Sequence, residues 1–322
     1  MRDTILFSGT SNAPLARAVA RSLKIPFGRV AIKKFRDGET YVNIEHGTGQ
    51  HIDVGGKRAI VMQSGAPNGN ESFMELLLLL DAVYRLHPKE LICVLPFYPY
   101  RRQERKVESG EAVSAAVVAR CIEAMHVDRV LAVDLHVEKI REFFTIPCTN
   151  VKTMSIFVEH FQALFAKRRS QKKKRFVWHG EPWVVVAPDL GSRTAARALA
   201  EQLNVAFVQS YKHRHEHDVV EVDSIEGGVA GKHIIILDDE INTAGTMVEN
   251  ARALYTLGAR AIYIAATHGI FADHGLEKLH AVPYIRAIVI TDTIARNVPR
   301  AMTKVHILSA ARVLRDALQP LL

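Results

Sequence analysis

Residues 233–246, HIIILDDEINTAGT, constrain the fold more than any other stretch of this chain. Ile234, Ile235, Ile236 and Leu237 form an unbroken apolar run that ends in two adjacent carboxylates, Asp238 and Asp239. A run that is apolar at every residue suits a parallel strand buried on both faces. A short turn with Thr243, Gly245 and Thr246 follows, and the spacing predicts an amphipathic helix from about Met247. Open α/β sheets bind ligands at the carboxyl end of such a strand. The first N–H groups of the helix, with threonine hydroxyls beside them, make a phosphate site. Gly245 lets backbone approach an anion where a Cβ would obstruct it. The aspartates repel a phosphate, but they accept hydrogen bonds from hydroxyls, as on a ribose, or hold a hard cation. A phosphorylated sugar satisfies both halves. A bare helix cap needs one acidic residue and no T-x-G-T.

Strand-like and helical runs alternate elsewhere. Strands are predicted at 4–8, 30–35, 41–44, 59–63, 91–95 and 130–133, with helices at 12–23, 70–86 and 113–124; Asn70 or Ser72 is the expected cap of the second helix. After about residue 150 the pattern restarts: helix 153–166, strand 183–187, helix 193–203, the central strand, helix 247–257, and strands 261–266 and 287–291. This alternation calls for parallel sheets covered by helices. The expected class is α/β, in two similar halves spanning 1–149 and 150–322, with a last helix at 309–318 able to pack on either. No literal repeat is visible, so duplication rests on element order alone.

Composition narrows the function classes. At 322 residues with 48% apolar content, two domains with buried cores are expected. No 18-residue apolar stretch is present, so no membrane span is expected. The N-terminus lacks a charged-then-apolar signal pattern. Cys93, Cys121 and Cys148 lie far apart without metal spacing, which reads as reduced cytoplasmic thiols. Much of the net charge of +8 sits in the block RRSQKKKR at 168–175, a solvated insertion rather than a nucleic-acid surface. His213, His215 and His217 alternate, but without a further ligand they read as a solvated loop.

The central loop resembles the phosphoribosyl-diphosphate loop of the type I phosphoribosyltransferase fold. Dispersed segments make the resemblance more specific: FSGTSN (7–12), KKFRDGE (33–39), PYRRQERK (99–106), DLHVEKIREFF (134–144), APDLGS (187–192), YKHR (211–214) and ITDT (290–293). Taken with the central loop and in this order, they are similar to the ribose-phosphate diphosphokinase family over nearly the whole chain, the insertion at 167–182 excepted. The resemblance implies two phosphoribosyltransferase-like domains and transfer of a diphosphoryl group from MgATP to the C1 hydroxyl of ribose 5-phosphate, releasing AMP. Asn242, Thr243, Ala244, Gly245 and Thr246 would hold the 5-phosphate, and Asp238 and Asp239 the ribose hydroxyls. His136 and Asp189 match the family's Mg²⁺ site. Lys212 and Arg214, two apart, share one side if extended and would meet charge developing at the transferred phosphorus. Arg102 and Gln103 match the ATP loop. Phe35, Asp37 and Glu39 match the adenine-binding segment, which in the family reaches into a neighbouring subunit. A homo-oligomer is thereby implied, dimer-based and up to a hexamer, cytoplasmic, with ATP and ribose 5-phosphate as ligands and neither nucleic acid nor membrane as partner.

Three departures from the family pattern stand out. Asn242 occupies a position that is usually acidic. QERKVESGEAVSA replaces the usual ATP-loop sequence, with Glu104 for Asp and Gly110, Glu111 and Ala112 where an arginine and proline are common. Lys139 stands where the family has Gln. A regulatory paralogue that assembles with an active synthetase, or a phosphoribosyltransferase, are the alternative readings.

Overall fold

The computed structural model describes residues 3–44, 54–171, 182–214, 220–225 and 228–322. The chain divides into two compact units: Met1–Lys152 with Asp292–Arg296 and Ser309–Leu322, and Thr153–Thr291 with Asn297–Leu308. The first contains β1 (Thr4–Ser8), α1 (Ala13–Leu23), β2 (Val30–Lys34), β3 (Thr40–Ile44), β4 (Arg58–Met62), α2 (Gly69–Tyr84), β5 (Glu90–Leu95), α3 (Ser114–Glu123), β6 (Arg129–Val133) and β7 (Cys148–Val151). Its sheet runs β1-β4-β5-β6-β7, all parallel, and β2 and β3 form a separate antiparallel hairpin.

The second unit contains α4 (Met154–Gln171), β8 (Trp183–Ala187), α5 (Arg193–Leu203), β9 (Ala206–Arg214), β10 (Val220–Ile225), β11 (His233–Ile241), α6 (Gly245–Thr256), β12 (Ala261–Gly269), α7 (Gly275–Ala281), β13 (Ile285–Thr291) and β14 (Val305–Leu308). Its sheet runs β10-β9-β8-β11-β12-β13-β14, antiparallel only between β9 and β10. Successive side chains of a strand point to opposite faces. Val184, Val186, Ile234, Ile236, Ile262 and Ile264 thus pack with Met247 and Leu254 of α6 and Leu276 and Leu279 of α7. Val185, Ile235, Tyr263 and Val289 pack with Phe157 and Phe161 of α4 and Leu199 of α5. Each such buried side chain stabilises the fold by about 1.5–3 kcal/mol.

The two sheets share one plan. The order β1-β4-β5-β6-β7 recurs as β8-β11-β12-β13-β14, and in each unit the first strand leads through a helix into an antiparallel pair. The helices that follow the first strands repeat in detail. LARAVARSLKIPF at 15–27 aligns with AARALAEQLNVAF at 195–207. Arg17 lies 4.5 Å from the centre of the Phe27 ring, and Arg197 lies 5.1 Å from that of Phe207. Both helices end on a left-handed residue, Lys24 or Asn204, whose N–H reaches back to Ala20 and Arg21 or to Ala200 and Glu201. A short literal repeat therefore exists where inspection of the sequence finds none. Its identities are mostly alanine and arginine, common in any helix, and acquire meaning only through the shared cap and ring contact. The helix that follows each unit's last strand joins the other unit: α4 packs on α5, while α8 (Ala311–Leu318) packs on α1.

Several local expectations change. α2 starts at Gly69 with Asn68 at its cap, so Asn70 and Ser72 lie inside the first turn and cap nothing. β7, β14 and α7 went unpredicted because they are short, and β9 and β10 because polar residues interrupt their apolar runs. Residues 172–181 of the basic insertion, and His215 and His217, lie outside the described residues. The three thiols are free, and burial pushes Cys148 up to about 12, so it stays protonated and unreactive near neutrality.

Asn12 ties α1 to a distant segment of its own unit. Its Oδ1 accepts from Leu15 N–H (3.4 Å), and its Nδ2 donates to the carbonyls of Asp292 (2.7 Å) and Thr293 (3.1 Å). Asn12→Ala removes a cap and two buried bonds, and should cost about 2–4 kcal/mol. Asn12→Asp keeps the cap acceptor but sets a buried carboxylate oxygen against two carbonyls, and should cost at least as much. Urea unfolding of both variants is the check.

Candidate functional site

β11 pairs with β8 as far as Ile236 but with β12 as far as Ile241. Beyond Leu237 one edge of β11 is therefore open, because β8 stops at Ala187. Asp189 lies in the turn that leaves β8. Its Oδ1 accepts from Ser192 N–H (3.0 Å) and Ser192 Oγ (3.1 Å), and its carbonyl accepts from Gln209 Nε2 (3.0 Å). The carboxylate is thus held in one orientation. Asp238 Oδ1 accepts from Asp239 N–H at 2.9 Å. Burial holds the Asp238 carboxyl well above its ordinary range, and the charges of Asp239 and Asp189 push it further the same way. Asp189, Asp238 and Asp239 thus form one negative focus at the carboxyl end of the sheet, suited to hydroxyl donors or a hard cation.

Beside this focus, Asn242, Thr243 and Ala244 turn the chain into α6, whose first residue is Gly245. Ala244 holds a left-handed backbone (φ 65°), sparsely populated by residues with a Cβ. Thr243, Gly245 and Thr246 are exposed, so the amides of the first turn face a solvent-accessible bend. Gly275, at the start of α7, packs against the back of this bend. A Cβ there would sit 2.6 Å from Asn242 O and 3.2 Å from Thr243 C.

β9 pairs with β8 up to Gln209 and runs on past it, so Lys212 and Arg214 stand on the stretch beyond the sheet's carboxyl edge. Asn250 joins this strand to the bend: its Oδ1 accepts from Ser210 Oγ (2.9 Å), and its Nδ2 donates to Thr246 O (2.9 Å). Sequence reasoning missed Asn250. Its signal is a polar residue within the buried stripe Met247, Asn250, Ala251 and Leu254.

The remaining predicted residues belong to the first unit. Phe35 is 55% exposed at the tip of the β2–β3 hairpin, where its N–H donates to Glu39 O (2.8 Å) and Asp37 Oδ1 accepts from Glu39 N–H (3.1 Å). Arg102 and Gln103 are exposed on the loop after β5, and Gln103 Oε1 accepts from Ser114 Oγ at the start of α3 (2.5 Å). His136 is exposed just past β6. A network that was not predicted lies at the carboxyl ends of β1 and β4. There the buried Glu75 accepts from Thr10 N–H, Thr10 Oγ1 (2.8 Å) and Gln63 Nε2 (2.7 Å), while Gln63 Oε1 accepts from Ser11 Oγ (2.7 Å).

Residues 4–125 match the N-terminal domain of ribose phosphate pyrophosphokinase, and residues 149–299 match the phosphoribosyl transferase domain. A ribose-phosphate pyrophosphokinase of Fusobacterium nucleatum is 37% identical over 313 residues, covering 97% of this chain and 93% of that protein. One from Thermotoga maritima is 37% identical over 314 residues with the same coverage. Among solved structures, phosphoribosylpyrophosphate synthetase from Mycobacterium smegmatis superposes with a TM-score of 0.85 at 29% identity, covering 99% of each chain.

Gly275→Ala should displace the bend, at about 1–3 kcal/mol in stability, and weaken ribose 5-phosphate binding about tenfold, about 1.4 kcal/mol; calorimetry reads both. For the ligand-free protein, Asp238→Asn should be stabilising. A carboxyl whose folded pKa is raised contributes full stability only below its unfolded value, about 3.9, and loses it as pH rises through the folded pKa. The variant's advantage in melting temperature should therefore be absent near pH 3 and grow as the pH climbs.

Proposed function

The chain belongs to the ribose-phosphate pyrophosphokinase family, and we propose that its second unit holds the sugar phosphate on the bend at 242–246. The reaction is transfer of a diphosphoryl group from ATP to ribose 5-phosphate. A bond forms from the C1 hydroxyl oxygen to the β-phosphorus as the bond from that phosphorus to the α,β-bridging oxygen breaks. AMP leaves with the bridging oxygen, and the hydroxyl proton is released. The observation that carries the site assignment is the conjunction, in one unit, of three mutually repelling carboxylates with an exposed T-x-G-T turn that opens a helix.

Each group has a role that follows from its chemistry. The amides of Gly245 and Thr246 and the hydroxyls of Thr243 and Thr246 receive the 5-phosphate, aided by the helix dipole. Asp238 and Asp239 accept hydrogen bonds from the ribose hydroxyls, which relieves the repulsion between them and orients C1. Asp189, oriented by Ser192, fits a divalent cation, as does a donor set that already crowds negative charge. We assign a Mg²⁺ contact to Asp189, and to His136 the metal role that the family resemblance gives it. When bound, Mg²⁺ neutralises triphosphate charge and orients it for in-line displacement. Lys212 and Arg214 supply cationic charge where it develops in the transition state, which costs no reorganisation during the reaction.

On the first unit, Arg102 and Gln103 bind the ATP phosphates, while Phe35, Asp37 and Glu39 bind adenine. A phenylalanine exposed at a hairpin tip is well placed to enter another subunit's site, so we assign a homo-oligomer built from dimers. Three free thiols, two of them buried, fit a reducing compartment, which we take to be the cytoplasm. Among the described residues, no helix is long and apolar enough to cross a membrane.

Purified protein with Mg²⁺ should release AMP only when ATP and ribose 5-phosphate are both present. Binding of both ligands without AMP release would overturn the assignment. Lys212→Ala should lower the turnover number by about a hundredfold or more, on the scale of losing one oxyanion donor, with little change in ribose 5-phosphate affinity. An unchanged turnover number with a raised KM would move Lys212 out of the transition state.

A further inference from the structure

β9 runs beside β8 only as far as Gln209, which pairs with Ala187. From Ser210 onward its neighbour is β10, in an antiparallel pair. Lys212 follows Ser210 by only about 7 Å, at about 3.4 Å per residue. The point where β9 leaves the sheet therefore sets where the stretch 212–214 begins.

Two adjacent polar residues hold that point, and each is 2% exposed. Successive side chains of a strand point to opposite faces, so Gln209 and Ser210 reach different neighbours. Gln209 Nε2 donates to the carbonyls of Ser210 (2.9 Å), Asp189 (3.0 Å) and Ala187 (3.4 Å), which fastens β9 to the turn carrying Asp189. Ser210 Oγ donates to Asn250 Oδ1 (2.9 Å), and Asn250 Nδ2 donates to Thr246 O (2.9 Å) in the first turn of α6. Buried side chains thus link the Asp189 turn, the stem of the cationic stretch and the sugar-phosphate bend, all within one unit.

Packing alone does not call for the Ser210–Asn250 pair. Asn250 is fully buried in a stripe with Met247, Ala251 and Leu254, where an apolar side chain would serve the core. A buried amide is costly unless it is hydrogen-bonded. Exchanging both partners of such a bond for apolar groups of the same shape leaves stability nearly unchanged. What apolar contact lacks is direction. Packed methyl groups can slide, whereas a hydroxyl-to-amide bond fixes both a distance and an angle.

We propose that Asn250 is a positioning residue for the transfer reaction. Through Ser210 it fixes where β9 departs from the sheet, and its bond to Thr246 O refers that point to the bend. One buried amide thereby sets the spacing between the sugar phosphate and the cations that meet the transferred phosphorus. The inference rests on the roles proposed above for the bend and for Lys212.

Full-length protein carrying Ser210→Ala with Asn250→Leu, an apolar pair of similar shape, is the test. Its melting temperature should hold, and calorimetry should show ribose 5-phosphate affinity within about twofold of the wild type, because the bend itself is untouched. Turnover at saturating ATP and ribose 5-phosphate should fall about ten- to a hundredfold, the scale of a reacting group displaced by about 1 Å. Ser210→Ala alone, which leaves α6 as it is, should show a loss of turnover of the same kind and serves if the pair does not fold. Lys212→Ala should cost less turnover in the apolar-pair background than in the wild type, since residues that act together are not additive. Unchanged turnover in the apolar pair, or an equal Lys212→Ala loss in both backgrounds, would overturn the positioning role. A Lys212→Ala variant of the wild type with full turnover would instead overturn the assignment of Lys212, and this inference with it.

Discussion

Asp189, Asp238 and Asp239 repel one another in a place partly closed to water, and the sheet beneath them keeps them from moving apart. Two like charges 4 Å apart cost about 4 kcal/mol at an effective dielectric of 20. Asp238 registers that cost as a carboxyl pushed upward by burial and by both neighbours. A flexible loop would relax by separating the groups. Asp238 and Asp239 cannot, because β11 is locked in register between β8 and β12 and its Ile234–Leu237 run is buried on both faces, while Asp189 is held by Ser192. Several buried side chains, each worth about 1.5–3 kcal/mol, outweigh a penalty of this size. The focus is preorganised because the apolar strand is too well packed to yield.

The repeat makes the point from the other side. Gln63 is the first residue past β4, as residues 238 and 239 lie on β11 beyond its paired core. In the first unit this place is filled by a satisfied network, with Glu75 accepting from Thr10 and Gln63, and Gln63 from Ser11. One carboxylate meets several donors, and the site closes on itself. In the second unit the charges of Asp189 and Asp239 bear on Asp238 beside the open edge of β11, so like charges gather there instead of a single carboxylate among donors. The same scaffold supports a sealed end and a receptive one, and the difference lies in whether charge is matched by neighbours. The opposite ends diverge in parallel, with Glu90 between two arginines in one unit and Ala261 in its place in the other.

Legibility in the sequence tracked burial. β8 and β11, apolar at every paired position, could be read off directly, as could α5 with its Leu199 and Leu203 spacing. β9 could not, because the buried polar Gln209 and Ser210 interrupt its apolar run, and β14 could not, because at the sheet edge it exposes His306 and Ile307. The bend at 242–246 was legible because its chemistry is local. The left-handed Ala244, the approach of Gly275 to Asn242 O, and the Ser210–Asn250–Thr246 chain were not, since each depends on residues brought together only by folding. The short repeat at 15–27 and 195–207 was hidden for another reason: alanine and arginine are too common in helices to carry weight until both copies are seen to make the same cap and the same arginine–ring contact.

Asn242, which stands where the family resemblance would place an acidic residue, can be understood on the same electrostatic terms. The bend begins immediately after Ile241, and residue 242 is half-buried with its carbonyl against α7. A fourth carboxylate there would add to the repulsion already borne by Asp238, and would face the anion that the helix start receives. An amide removes that charge while keeping a donor and an acceptor. Repulsion within the site would then be smaller, and a phosphate would meet a less negative rim. What is given up is one potential acceptor of full charge for a sugar hydroxyl or a metal-bound water. On the roles proposed above, Asp189, already fixed by Ser192, and the pair Asp238 and Asp239 would carry that duty without it. The amide would then favour an anion at the bend and leave hydroxyl binding to the residues at the end of the sheet.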